Sequence, residues 1–415
     1  MVTKEFFSKN SFIAIAVYLF KWISIAGVLS LLIGSVSAFF LISLDWVTQL
    51  QTTYTWLLYL LPFGGALISF LYKKVGKNAI RGNNLVIEQA NGNEENIPLR
   101  LVPLTLFGTL TTHLLGGSAG REGTAVQMGG ALAEAIGKLI RLTKSDRKII
   151  VICGISGGFS AVFGTPIAGT VFGLEVLALG LIRHEALLPS FFSAYFANLV
   201  TKSYGVTHAV YEMEAAPDAS ATLLVKLIAA GIAFGLIGLI FSRSIVLIKK
   251  YYSKWMPNPT VRTFIGGCVI LIFVWVIGRA YLGLNLPLLA QAFTGDSGPY
   301  DFLGKLIFTI FTLGAGYQGG EVTPLFVIGA TLGSSLAVLL HLPISFLAGL
   351  GFIGVFSGAT NTPIACFIMG IELFGSENAV YLFLICVISY LCSGNSSIYA
   401  SQKVGIEKGS LFLED

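Results

Sequence analysis

Apolar stretches broken by short polar connections run the length of the chain. In the first half they fall at 12–44, 54–72, 101–117, 122–140, 147–163, 165–181 and 186–203. Residues 205–220, with Pro217 and several acids, interrupt the pattern and mark a junction. Beyond it the stretches lie at 222–247, 261–281, 283–293, 303–318, 322–340, 343–359, 361–375 and 377–393. Many are shorter than the roughly 20 residues of a spanning helix. Between Lys305 and Lys403 the only formally charged residues are Glu321, Glu372 and Glu377, yet Gly, Pro, Ser, Thr and Asn interrupt the run repeatedly. Interrupted helices are tolerated at membrane depth only where they pack inside protein or line a cavity. The pattern predicts an all-α polytopic membrane protein with broken and tilted helices. The polar region 73–100 is expected to hold one short helix within Gly82-Asn-Asn-Leu-Val-Ile-Glu-Gln-Ala90, entered through an Asn-rich cap.

The same text occurs twice. Gly116-Gly-Ser-Ala-Gly-Arg-Glu-Gly-Thr-Ala-Val-Gln-Met-Gly-Gly130 is answered by Gly319-Gly-Glu-Val-Thr-Pro-Leu-Phe-Val-Ile-Gly-Ala330. At nearly the same offset, Gly164-Thr-Pro-Ile-Ala168 is answered by Asn361-Thr-Pro-Ile-Ala365. This duplication suggests two transmembrane repeats, 1–216 and 217–415, in a single membrane domain. Repeats with broken helices are what secondary transporters present, with the site near the midplane at helix ends.

Composition agrees with the pattern: 55% of the 415 residues are hydrophobic and 11% charged, too few polar side chains to cover a soluble surface. The first apolar stretch is too long for a signal peptide and is expected to stay as a tilted helix. The net charge of +5 comes from cations in short connections, at Lys73, Lys74, Lys77 and Arg81, at Lys138 to Lys148, and at Lys249, Lys250 and Lys254. Such loops read as cytoplasmic by the positive-inside rule. No basic stripe with interleaved aromatics is present for nucleic acid. The five cysteines lie in apolar segments without C-x-x-C spacing, so neither a disulfide framework nor a metal is suggested.

The glycine-rich runs point to an anion. A helix N-terminus carries unpaired N–H groups and a partial positive charge, so several aimed at one point hold an anion without a full cation. Gly82-Asn-Asn, Gly120-Arg-Glu-Gly and Gly319-Gly-Glu-Val-Thr-Pro each read as such a start. Glycines at this density also serve ordinary helix packing. Glu122 tips the balance, because an acid at membrane depth is a functional hypothesis by default. Its carboxylate could occupy the anion position and, once protonated, swing away. The plainer reading is a helix cap or a pair with Arg121. Glu321 has the same two readings, while Glu175 and Glu372, at matching ends of the Thr-Pro-Ile-Ala segments, read as symmetric structural residues.

Together with the tyrosine in Gly394-Asn-Ser-Ser-Ile-Tyr-Ala400, these motifs resemble the CLC family of anion channels and proton-coupled anion antiporters over nearly the whole chain. The resemblance implies an all-helical homodimer, each subunit an inverted repeat with its own pathway. It places the gating glutamate on Glu122 and the anion-facing tyrosine on Tyr399, with Gly123 and Val322 at the anion-binding helix starts. Three departures are informative. The usual Gly-Ser-Gly-Ile-Pro reads Gly82-Asn-Asn-Leu-Val86, so Asn83 stands where serine is usual. The paired glutamates of many proton-coupled members read Glu175-Val176. The third motif reads Gly320-Glu-Val-Thr-Pro324.

That set resembles the fluoride/proton antiporter branch, CLC-F. By that resemblance Asn83 contributes to fluoride selectivity, and Glu122, Glu321, Thr323 and Tyr399 line the coupled path of a bacterial inner-membrane protein whose partners are fluoride, protons and lipid. Fluoride is strongly hydrated and avid for protons, so close, strong donors and carboxylic acids suit it. The alternative is a chloride/proton antiporter or chloride channel of the same fold. A reading from another class is an intramembrane serine protease: Gly154-Ile-Ser-Gly-Gly158 matches G-x-S-x-G, with His113, His184, His208 and His341 as possible bases. Gly116-Gly-Ser-Ala-Gly120 matches too, which shows how readily glycine-rich helices generate the pattern.

Overall fold

The computed structural model describes residues 2–93 and 95–411, with side chains from Phe12 to Gly409. The first apolar run belongs to one continuous helix, Val2–Thr53. Among the described residues, 12–53 is one of five stretches long and apolar enough to cross a membrane; the others are 55–90, 221–255, 259–277 and 322–340. Large apolar side chains such as Phe12, Phe20, Trp46, Trp56, Trp255 and Trp275 stay exposed on the outside, as lipid contact requires.

The centre is built from two helix pairs. Glu122–Leu139 packs on Lys144–Phe163, and Val322–Leu340 packs on Ile344–Thr360. All residues from Ile150 to Phe163 and from Ser345 to Thr360 are buried, so these helices are apolar all round rather than amphipathic. Close approach needs glycine in both pairs. A Cβ on Gly129 would run into the carbonyl of Gly154, and one on Gly329 into that of Gly351. The serine of the protease-like motif lies within this packing: Ser156 is buried and donates to the Thr170 carbonyl at 3.4 Å.

Each inner helix ends in the same way. Gly164 (φ 75°) and Asn361 (φ 59°) cap Lys144–Phe163 and Ile344–Thr360 in the left-handed region, which glycine and asparagine tolerate. Thr then turns the chain, and Pro166 or Pro363 opens a short helix, Pro166–Glu175 or Pro363–Phe374. The two short helices cap each other. Glu175 accepts from Ile364 and Ala365 N–H at 3.2 and 2.8 Å, and Glu372 from Ile167 and Ala168 N–H at 2.9 and 2.8 Å. This is the structural role expected of these two acids. Val176, beside Glu175, is buried and apolar.

Two elements escaped the pattern. Residues 55–90 are neither a clean span nor a loop, but a broken run of short helical pieces ending in Asn83–Ala90. The Asn-rich cap expected there is absent: Gly82 (φ 52°) is the N-cap, and no side chain caps the helix. The second is the tail. Ala178–Leu179 and Lys403–Val404 form a two-residue parallel ladder, and Lys408 is almost fully buried. Its Nζ donates to Asn361 Oδ1 (2.6 Å), Ser393 Oγ (3.0 Å) and the Tyr390 and Gly394 carbonyls (2.5 and 2.6 Å), plugging the C-terminal end of Ala379–Cys392.

Candidate functional site

The two glycine-rich starts meet back to back. Gly120 and Gly320 form an antiparallel bridge, with Gly120 N–H donating to Gly320 O at 2.6 Å and Gly320 N–H to Gly120 O at 2.8 Å. His113 holds the Gly120 carbonyl through Nε2 at 3.3 Å. The bridge sets the N-termini of Glu122–Leu139 and Val322–Leu340 side by side.

Glu122 is 1% exposed and crosses that junction. Its Oε1 accepts from Val322 N–H (2.5 Å) and Thr323 N–H (3.0 Å), and its Oε2 from the Thr323 hydroxyl (2.7 Å) and Arg121 N–H (2.9 Å). It is therefore the backbone of Arg121, not its guanidinium, that reaches the carboxylate. Three of the four donors belong to the other helix, so Glu122 sits at the N-terminus of Val322–Leu340 where a free anion would be held by the same groups.

Glu321 is the N-cap residue of that helix, but its side chain makes no capping hydrogen bond, and its Oε2 is buried without a partner. The plain cap reading therefore does not describe it. Asn83 opens the third helix start, with Oδ1 likewise buried and unpartnered. Both converge on Gly123. A Cβ there would stand 2.9 Å from Asn83 Nδ2 and 3.8 Å from Glu321 Oε2. Gly123 has to be glycine for these groups to come so near the helix start.

Tyr399 is 6% exposed and packs edge-on to Phe172 with ring centroids 6.2 Å apart. Phe172 in turn lies 6.2 Å from Phe356, and Phe356 lies 5.1 Å from Phe326, one turn beyond Thr323. Its loop is pinned on several sides. Ile398 N–H donates to Ala359 O (3.0 Å), Ser401 N–H to Asn84 Oδ1 (3.1 Å), and Ser401 Oγ to Glu88 (2.6 Å). The structure thus gathers Asn83, Glu122, Gly123, Glu321, Val322, Thr323 and Tyr399 around one junction.

Two cavities approach it. One of about 40 Å³ is lined by Arg121, His208, Tyr211, Thr323 and Phe326. The other, of about 490 Å³, is lined by Arg81, Asn84, Glu88, Lys249, Arg262 and Ser401. His113, Gln127 and Arg121 were not singled out for the site by the sequence, and all three contact its frame. A lone histidine or glutamine in an apolar helix carries no spacing signal that distinguishes it from packing.

Residues 64–394 match the family model described as voltage gated chloride channel. A chloride/fluoride channel protein of Pseudomonas syringae pv. tomato is 46% identical over 94% of this chain and 88% of its own. An H(+)/Cl(-) exchange transporter, ClcA, of Vibrio parahaemolyticus is 26% identical over 92% of this chain and 87% of its own. Among solved structures, a CLC-type fluoride/proton antiporter matches with a TM-score of 0.91 at 36% identity, covering 93% of this chain and 98% of its own. A slow cyanobacterial Cl-/H+ antiporter shares the fold at a TM-score of 0.77 and 19% identity, over 90% of this chain and 94% of its own.

Proposed function

The chain belongs to the voltage-gated chloride channel (CLC) family, and on that premise we propose that it exports cytoplasmic fluoride in exchange for protons entering down their gradient. The observation that carries this reading is the seat of the Glu122 carboxylate on Val322 N–H, Thr323 N–H and the Thr323 hydroxyl. With the carboxylate seated, the anion position is filled. Fluoride and the carboxylate compete for one set of donors, and protonation removes the charge that holds Glu122 there. One side chain then alternates between closing the anion path and carrying a proton across it. Glu321, whose Oε2 is unpartnered and within reach of Gly123, serves as the second proton-bearing group, and Asn83 and Tyr399 complete the anion's surroundings. The likeness to the fluoride/proton antiporter supports fluoride over chloride as cargo. Residues 1–216 and 217–415 act as the two inverted repeats, and the protein works as a homodimer in the bacterial inner membrane. The helix face bearing Leu187, Phe191, Tyr195 and Leu199, exposed and apolar, is available for lipid or a second subunit.

The second reading is a chloride carrier or channel, favoured by the word channel in the name of the Pseudomonas relative. Proteoliposomes loaded with fluoride or chloride separate the two. Fluoride efflux faster than chloride, driven uphill by an imposed proton gradient, is the expected result. Chloride movement at an equal or higher rate would overturn the fluoride assignment. Glu122→Gln is expected to abolish coupled exchange while the protein still folds; normal proton-driven efflux by that variant would remove the mechanism.

A further inference from the structure

Gln127 lies one helical turn beyond Gly123, on the same face of Glu122–Leu139. It is 5% exposed, and its Oε1 is buried without a hydrogen-bond partner. Leaving a buried polar atom unpaired costs about 1–3 kcal/mol, and folded interiors keep few such atoms. The backbone nevertheless makes room for this amide. Gly82 adopts φ 52°, and a Cβ there would stand 3.3 Å from both Nε2 and Oε1 of Gln127. Gln127 is therefore set directly against the start of the Asn83 helix.

Two side chains that meet at Gly123 share its condition. Asn83 Oδ1 and Glu321 Oε2 are also buried and unpartnered. As placed, none of the three oxygens receives a hydrogen bond, and there are two ways to supply one. A proton on Glu321, or a water, brings a donor to an amide oxygen. Alternatively an amide turns over by half a rotation about its last bond and presents N–H to an anion. A glutamine carries both faces on one flat group, which neither a serine nor a carboxylate does. A passage that conducts an anion and a proton in opposite directions has use for such a group.

We propose that Gln127 is a further ligand-contacting residue of the transport path, its amide donating to the anion in one state and accepting from the proton-bearing partner in the other. The proposal rests on the fluoride/proton exchange reading, and the two fail differently. A wild-type protein that moves no fluoride against protons sinks that reading before any variant is made.

With wild-type exchange in hand, Gln127→Met keeps the length and removes both polar atoms. The expected result is a KM for fluoride raised about tenfold, as for one lost hydrogen bond, together with a lower proton-to-fluoride ratio and a melting temperature no lower than that of the wild type. Gln127→His, which retains one donor and one acceptor, is expected to recover part of both losses. A methionine variant with wild-type KM and ratio would overturn the proposal. Should the methionine variant not fold, Gln127→Asn carries the test, because it withdraws the amide by one carbon. A raised KM at wild-type melting temperature then supports the proposal, and an unchanged KM ends it.

Discussion

The Thr323 hydroxyl donates to Glu122 at 2.7 Å, and a hydrogen bond to an ionised partner contributes about 1.5–3 kcal/mol. Thr323→Val keeps the β-branched shape and removes that donor, so the seated carboxylate is held roughly 10- to 100-fold more weakly. The expected consequence is fluoride leak without a proton gradient, read as electrode-detected efflux at equal pH, with Thr323→Ser behaving as wild type. A valine variant that stays tight would mean that the two backbone N–H groups suffice. His208 gives a pH signature of its own. Burial, helped by the positive charges of Arg121 and Lys202, pulls its pKa from 6.5 to about 4. The native protein then binds fewer protons than the unfolded chain between these values. That stability contribution is full above pH 6.5 and is lost as pH falls toward 4. Wild-type melting temperature should drop more steeply than that of His208→Gln across this window; parallel curves would refute the assignment. Glu122 and Glu321 stood out in the sequence because an acid inside a repeated glycine-rich start is rare enough to read, whereas Thr323 came only with the resemblance to the fluoride/proton branch. Gln127 was not, since only its missing partner marks it, and a missing partner exists in three dimensions alone.

Helix ends were legible for a similar reason. Gly164-Thr-Pro and Asn361-Thr-Pro punctuate the chain by what their backbones allow, and the observed boundaries fall within a few residues of the expected ones. The run 55–90 resisted because its mixed polar and apolar content fits no single period. The short helices Pro166–Glu175 and Pro363–Phe374 are held at their starts by each other's terminal glutamate, a long-range exchange that local pattern cannot reveal. Glu175→Gln keeps the shape but replaces a carboxylate that accepts two backbone N–H groups. We expect a loss of about 1–3 kcal/mol of stability, seen as a lower melting temperature in detergent, with fluoride turnover per folded molecule retained. Loss of turnover at unchanged melting temperature would instead place Glu175 on the proton path.

At the scale of the whole molecule the three cation clusters share one face. Arg81 and Lys249 line the same cavity, and Lys148 and Arg147 reach Gly92 and Asn96 in the 91–100 connection, whose Glu95 pairs with Arg81. The charge pattern foretold that grouping, because loops rich in Lys and Arg favour the same side of a bilayer. The tail was outside its reach: nothing in the sequence around Lys408 says that it plugs a helix end near the Tyr399 loop. The crossed partnership of the halves also has a consequence for synthesis. Glu122 takes most of its donors from Val322 and Thr323, Glu175 takes both of its own from Ile364 and Ala365, and the tail arrives last of all. While the ribosome is still translating the second half, the first half carries two carboxylates whose destined donors do not yet exist. A nascent chain in that condition cannot bury these acids in the bilayer at low cost, so the junction around Glu122 stays unbuilt until Val322 and Thr323 have been made.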